Sequence, residues 1–139
     1  MKLLLTHVPL ARRQYYGARA LARLQGLVDV TLHEGDAPLD PAGVIAAARG
    51  ADFIIADRST AVPGQIFAGL PGLKVVMRSA TDIRNIDVEA ASRAGVLVTH
   101  AEAGFVQSVV ELALGLLVDL SRGVSRAVAD YHAGRRPEI

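Results

Sequence analysis

The chain has 139 residues, 51% of them hydrophobic and 21% charged, a length and composition that fit one domain with an ordinary core and exclude intrinsic disorder. A formal net charge of +1 argues against nucleic acid or an anionic membrane as the main partner, because both select a strongly basic face. The absence of cysteine rules out disulfides, thiolate zinc sites, iron–sulfur clusters and cysteine nucleophiles.

The opening MKLLLTHVPLARR holds an apolar run too short for a signal-peptide core, with no small-residue cleavage pattern. Leu3–Thr6 reads as a first strand, followed by a helix over Ala11–Leu24 that Gly26 stops. Val28–Leu32 is a second strand, and Asp40 caps a helix over Pro41–Arg49 that ends at Gly50. Phe53–Ala56 is a third strand, followed by a helix over Pro63–Ala68. Leu73–Met77 is a fourth, followed by a helix over Asp87–Ala94 with Asp87 as cap and Gly95 as stop. Val96–Thr99 is the fifth. None of these strands alternates apolar with polar residues, which is the pattern of strands buried on both faces of a parallel sheet. Five such units predict an α/β fold over residues 1–101, a doubly wound parallel sheet of flavodoxin-like type.

Residues 102–139 differ. Val106 to Ala133 reads as one long helix stopped by Gly134. At 100° per residue, Gln107, Ser108, Glu111, Gly115, Asp119 and Arg122 share an arc of about 120°. The rest of the surface is apolar, including Val106, Val109, Val110, Leu114, Leu117 and Leu120. Polar residues interrupt Phe105–Leu120, and a membrane span needs roughly 20 mostly apolar residues. The helix is therefore expected to pack on a second domain or a second copy of the chain. The closing HAGRRPEI reads as a linker, and the protein as soluble and cytoplasmic, with neither nucleic acid nor membrane as partner.

Several signatures are missing. No two of the thirteen glycines form G-x-G, and there is no Walker A loop, H-E-x-x-H or G-x-S-x-G. The four histidines lack metal-binding spacing. His33 and His132 read as solvated. His7 and His100 lie at strand ends, where α/β sheets place ligands, and read as hydrogen-bonded structural residues. The informative loops are Asp57-Arg58-Ser59-Thr60 and Arg78-Ser79-Ala80-Thr81-Asp82. Each combines an arginine, hydroxyls and backbone N–H groups at the carboxyl edge of the sheet, a set that can cradle a carboxylate or phosphate. The same residues are equally consistent with rim arginines that pair with Asp57 and Asp82.

The stretch LKVVMRSATDIRNIDVEAASRAGVLVTHAEAGFVQSVVELALGLLVDLSRGV resembles the D-isomer-specific 2-hydroxyacid dehydrogenases. Asn85-Ile86-Asp87, Ala90-Ala91, Gly95–Val98 and Ser108–Leu114 match that family in order and spacing, and the resemblance extends over Asp52 to Gly123. It implies a substrate domain whose loops hold a small carboxylate substrate through Arg58, Ser59, Arg78, Ser79, Ala80 and Thr81. It further implies that Thr81 and Val109 contact NAD or NADP, and that a homodimer forms through the Val106–Leu120 helix. The chain departs from the family at Ala80-Thr81-Asp82, where relatives have Gly-Val-Gly, and at Glu102–Phe105. The family's catalytic residues and dinucleotide turn are expected beyond Ile139. This chain is thus expected to be an N-terminal substrate-binding portion, with an interdomain or dimerisation helix, that neither binds the dinucleotide nor catalyses on its own. Two other readings are a stand-alone flavodoxin-like binding or dimerisation module and a receiver-type signalling domain with Asp57 as phospho-acceptor. Against the receiver, Thr6-His7 replaces the acidic pair expected after the first strand, and His100 replaces the expected lysine.

Overall fold

The computed structural model describes residues 1–136, so the end of the expected linker, 137–139, lies outside the described residues. The strands are β1 (Lys2–Leu5), β2 (Asp29–Leu32), β3 (Phe53–Ala56), β4 (Val75–Arg78) and β5 (Leu97–His100). The helices are α1 (Pro9–Tyr15), α2 (Gly17–Leu27), α3 (Pro41–Ala47), α4 (Gly64–Gly69), α5 (Val88–Arg93), α6 (Val106–Arg122) and α7 (Val124–His132). Two compact units divide the chain, Met1–Glu102 and Ala103–Ile139.

In the first unit the strands form one parallel sheet in the order β2-β1-β3-β4-β5, the flavodoxin-like doubly wound arrangement. Alternate residues of the same strands serve two cores. Leu4, Ile54, Ala56 and Val76 meet Val44 of α3, Ile66 and Phe67 of α4 and Ala91 of α5. Leu3, Leu5 and Ile55 face the other way, against Tyr16, Leu21 and Leu24. That double duty explains the lack of polar alternation in β1, β3 and β4, whereas β2 at the sheet edge, Asp-Val-Thr-Leu, does alternate exposed with half-buried positions and corrects the sequence reading there.

The caps are where the sequence places them. Asp40 accepts from the Gly43 amide at 2.7 Å, and Asp87 from the Ala90 amide at 2.9 Å. Asp40→Ala is expected to cost about 1 kcal/mol, the usual worth of such a cap. Thermal unfolding would check this, and an unchanged midpoint would count against it.

Two expected helices are broken. Ala11–Leu24 is split between α1 and α2 at Gly17, whose φ of 61° lies in the left-handed region that only glycine enters at little cost. Gly26 sits inside α2 and stops nothing; the helix runs on to Leu27. The long C-terminal helix is likewise split at Gly123, with φ of 65°. The Asp119 carboxylate there accepts from the Ser125 amide at 2.6 Å and the Ser125 hydroxyl at 2.8 Å, starting a new helix instead of continuing the old one. Among the described residues no helix is long and apolar enough to cross a membrane.

Candidate functional site

Parallel strands in register bring their carboxyl ends to one edge, where Ala56 pairs with Arg78 and Arg78 with His100. A cleft of about 460 Å³ opens at that edge, lined by His7, Gln14, Tyr15, Asp57, Arg58, Ser59 and the loop Arg78–Asp82. Arg58, Ser59, Arg78, Ser79, Ala80 and Thr81 therefore share one cavity. Val109 lies in the second unit, exposed on α6. A second groove, of similar size, lies between α2 and the carboxyl ends of β3–β5, and Arg78 and Ser79 border it as well as the cleft.

The loop after β3 is built around an internal anion. Asp57 is 7% exposed. Its carboxylate accepts from the Thr6 hydroxyl at 3.1 Å, the Thr60 amide at 2.9 Å and the Ser59 amide at 3.3 Å. The Thr6 oxygen in turn accepts from the Asp57 amide at 2.9 Å. Asn85 then ties this loop to the next, its side-chain amide donating to the Asp57 and Thr60 carbonyls at 3.0 and 2.7 Å. A carboxylate so committed is an anchor for the loop, a poor fit to a phospho-acceptor.

Arg78 departs from the rim-arginine reading. It is 6% exposed, and it donates from Nε to the Asp82 carbonyl at 3.0 Å and from Nη1 to the Ala56 carbonyl at 2.9 Å. Among the described residues no carboxylate pairs with it. The Asp82 carboxylate is taken by Arg84, two residues along, at 2.8 and 2.9 Å, and those hydrogen bonds hold its carboxyl well below the usual range. Arg58 is exposed and makes no ion pair among the described residues. The amides of Ala80 and Thr81 likewise find no protein acceptor among the described residues. A buried guanidinium with only neutral partners, beside free amides, favours an incoming anion.

The histidines correct the expectation in part. His100 contacts the Ala101 carbonyl through Nδ1 at 3.0 Å, and His33, expected solvated, contacts the Ala37 carbonyl through Nε2 at 2.8 Å. His132 is exposed. No side-chain hydrogen bond holds His7 among the described residues; only its carbonyl accepts one, from Arg12 at 3.4 Å. The residue is 3% exposed, its Nδ1 has no partner among the described residues, and its ring packs edge-on against Tyr16 and Tyr15 at centroid distances of 5.1 and 6.3 Å. Burial pushes its pKa down, the Arg78 and Arg12 charges add to that, and Asp57 opposes them. Tyr16 donates to the Ser79 hydroxyl at 3.2 Å, and burial raises its phenol.

A pH dependence follows. The folded pKa of His7 lies below the unfolded value of about 6.5, so the unfolded chain binds more protons just below that pH. The stability contributed by neutral His7 is present above about pH 6.5 and is lost as pH falls from there toward the folded value. The unfolding midpoint is expected to drop between pH 7.5 and pH 5.5, and to drop less in His7→Gln. Equal losses in both proteins, measured by calorimetry, would show that His7 is not responsible.

Sequence reasoning put His7 at the ligand-bearing edge but read it as a hydrogen-bonded structural residue, and it missed Tyr15 in the cleft lining and Tyr16 and Asn85, which brace the loops behind it. The tyrosines follow from the break at Gly17, which no periodicity announces.

Residues 4–133 match the model of a family described as D-isomer specific 2-hydroxyacid dehydrogenase, catalytic domain. Over 94 residues the chain is 37% identical to the D-3-phosphoglycerate dehydrogenase of Mycobacterium leprae (strain TN), covering 68% of this chain and 18% of that protein. It is 34% identical over 92 residues to the Rattus norvegicus enzyme of the same name, covering 66% and 17%. The chain thus spans about a fifth of the length of the curated relatives it matches. In fold it is similar to the D-lactate dehydrogenase with NAD+ from Lactobacillus jensenii, with a TM-score of 0.73 at 16% identity, over 100% of this chain and 41% of that one.

Proposed function

The chain belongs to the D-isomer specific 2-hydroxyacid dehydrogenase family, and on that premise we propose that it is the substrate-holding part of a cytoplasmic NAD(P)-dependent oxidoreductase for a small D-2-hydroxy or 2-keto acid. Its own work is to bind and orient the acid. The carboxylate sits against Arg78 and the free amides of Ala80 and Thr81, with Arg58, Ser59 and Ser79 on the rim. The observation that carries this is Arg78, a buried cation that pairs with no carboxylate among the described residues.

The dinucleotide, when bound, supplies or accepts the hydride. The described residues alone do not fit it. Their left-handed glycines, Gly17, Gly50, Gly95, Gly123 and Gly134, are isolated, and none forms the G-x-G turn that admits a pyrophosphate. Thr81 and Val109 are the positions we assign to cofactor contact in the complete enzyme. We assign catalysis itself to residues outside this chain. The apolar face of α6 pairs with a second copy, giving a homodimer.

Titration with glyoxylate, followed by amide chemical shifts, tests the carboxylate site. Shifts are expected to concentrate on Arg78–Asp82 and Arg58–Thr60, with affinity of about 1 mM in this open cleft, equivalent to roughly −4 kcal/mol. Arg78→Met should weaken binding at least about tenfold while leaving stability within about 1 kcal/mol, since an apolar replacement also removes an unpaired buried charge. Undiminished shifts in Arg78→Met would place the carboxylate elsewhere.

A further inference from the structure

We propose that His7 is a further ligand-binding residue of this cleft, donating from Nε2 to a neutral oxygen, hydroxyl or carbonyl, on the third carbon of the bound acid or beyond. This rests on the reading that the cleft holds the carboxylate of a 2-hydroxy or 2-keto acid, and it narrows that substrate to oxygenated acids over alkyl ones.

The starting point is an orphan. Buried polar side-chain atoms almost always have a partner, yet Nδ1 of His7, in a residue 3% exposed, has none among the described residues. A buried N–H without an acceptor is rarer than a buried lone pair without a donor. The ring proton therefore belongs on Nε2, a tautomer assigned by this hydrogen-bond argument. Nε2 has no protein partner among the described residues, and the residue lies in the cleft wall. A donor is thus held there for something that is not protein.

The charge of that donor decides what it reads. Burial and the Arg78 and Arg12 guanidiniums keep the imidazole neutral at pH 7, with only Asp57 opposing them. The cleft then offers a cation at Arg78 for the carboxylate and a neutral N–H at His7 for an uncharged oxygen. The oxygen on the second carbon is committed to the reaction, so the one left for His7 is further along. The ring is pre-aimed, packed edge-on against Tyr16 with the planes at 86°, and Tyr16 is itself bonded to Ser79 in the carboxylate loop. One side chain therefore sets both the loop and the donor. A cleft of about 460 Å³ leaves ample room beyond a carboxylate.

D-glycerate and D-lactate share the carboxylate and the 2-hydroxyl and differ by the 3-hydroxyl, so they isolate this contact. The 139-residue protein is expected to bind glycerate about fivefold more tightly than lactate, the size of one net neutral hydrogen bond. His7→Leu should equalise the two acids with lactate affinity unchanged, and His7→Gln, which keeps a donor, should retain part of the preference. In the unmodified protein, the ¹⁵N resonance of His7 Nε2 should be of protonated type and should move with glycerate but not with lactate. Equal affinities in the unmodified protein overturn the assignment to His7 and leave the carboxylate reading standing. So does a preference that survives His7→Leu. If neither acid binds, the carboxylate reading fails and this inference fails with it. Should His7→Leu not fold, the ¹⁵N measurement and His7→Gln decide alone.

Discussion

Replacing Leu117 by Asp is expected to halve the mass of the protein in solution, from a pair of chains to a single chain of 14.6 kDa. Along α6, Val110 is 54% exposed, Leu114 59%, Leu117 65% and Leu120 83%, a continuous apolar face on one helix. Fully burying one such side chain contributes about 1.5–3 kcal/mol, so a two-fold pairing of α6 with its copy gathers several such terms from each protomer. An aspartate at the centre of that face removes one term and buries a charge without a partner. The combined loss of roughly 4 kcal/mol or more weakens association about a thousandfold. Glu111, on the polar arc and bonded to Gln107 at 3.0 Å, supplies the control, since Glu111→Ala should leave the mass of the pair unchanged. Light scattering distinguishes these outcomes, and a stable 14.6 kDa particle from the unmodified chain would end the dimer proposal.

Asp57→Ala is expected to be the most damaging single change near the cleft, costing about 3 kcal/mol. The substitution removes the acceptor of the Thr6 hydroxyl and of the Ser59 and Thr60 amides in a buried loop. Donors left buried without partners cost about 1–3 kcal/mol each, partly relieved as the loop opens to water. Asp57→Asn keeps an acceptor oxygen and should cost less than half as much. Urea denaturation would show a lower midpoint with an unchanged slope. A loss under about 1 kcal/mol for Asp57→Ala would mean that the loop is held by something other than this carboxylate.

Much of the sheet was legible because its residues obey one rule each. Asp40 and Asp87 cap helices that start at the next residue, and Gly50 and Gly95 take left-handed conformations just past α3 and α5. The strand ends moved by a residue or two. Leu3–Thr6 became Lys2–Leu5, and the side chain of Thr6 turned to Asp57. Glycine alone was ambiguous. Gly17 and Gly26 look alike in sequence, yet one breaks a helix and the other rides inside it, because the choice depends on what the chain must reach next. The break at Gly123 needed Asp119 and Ser125 to be read together with it.

In the cleft, the loops carrying Arg58 and Arg78 could be placed from strand order, while the partners of Arg78 could not. By spacing Asp82 could be neutralised by either Arg78 or Arg84, and it is Arg84 that takes it. Competition between two arginines for one carboxylate is settled by loop geometry. The contact of Tyr16 with Ser79 spans 63 residues and has no local signature.

The bond between Thr6 and Asp57 spans 51 residues and joins the ends of β1 and β3, neighbours in the sheet whose connection passes through β2 and α3. Such a closure follows the local helix and β/α contacts during folding, because the entropy of bringing distant segments together is lost before their pairing rewards it. A chain with intact helices and unpaired central strands has the right residues but no place for an anion to bind. On the proposed reading, carboxylate binding is expected to report the arrival of the most sequence-distant strand pair, β1 with β3, and a ligand added during refolding should slow unfolding without hastening the earliest helical signal.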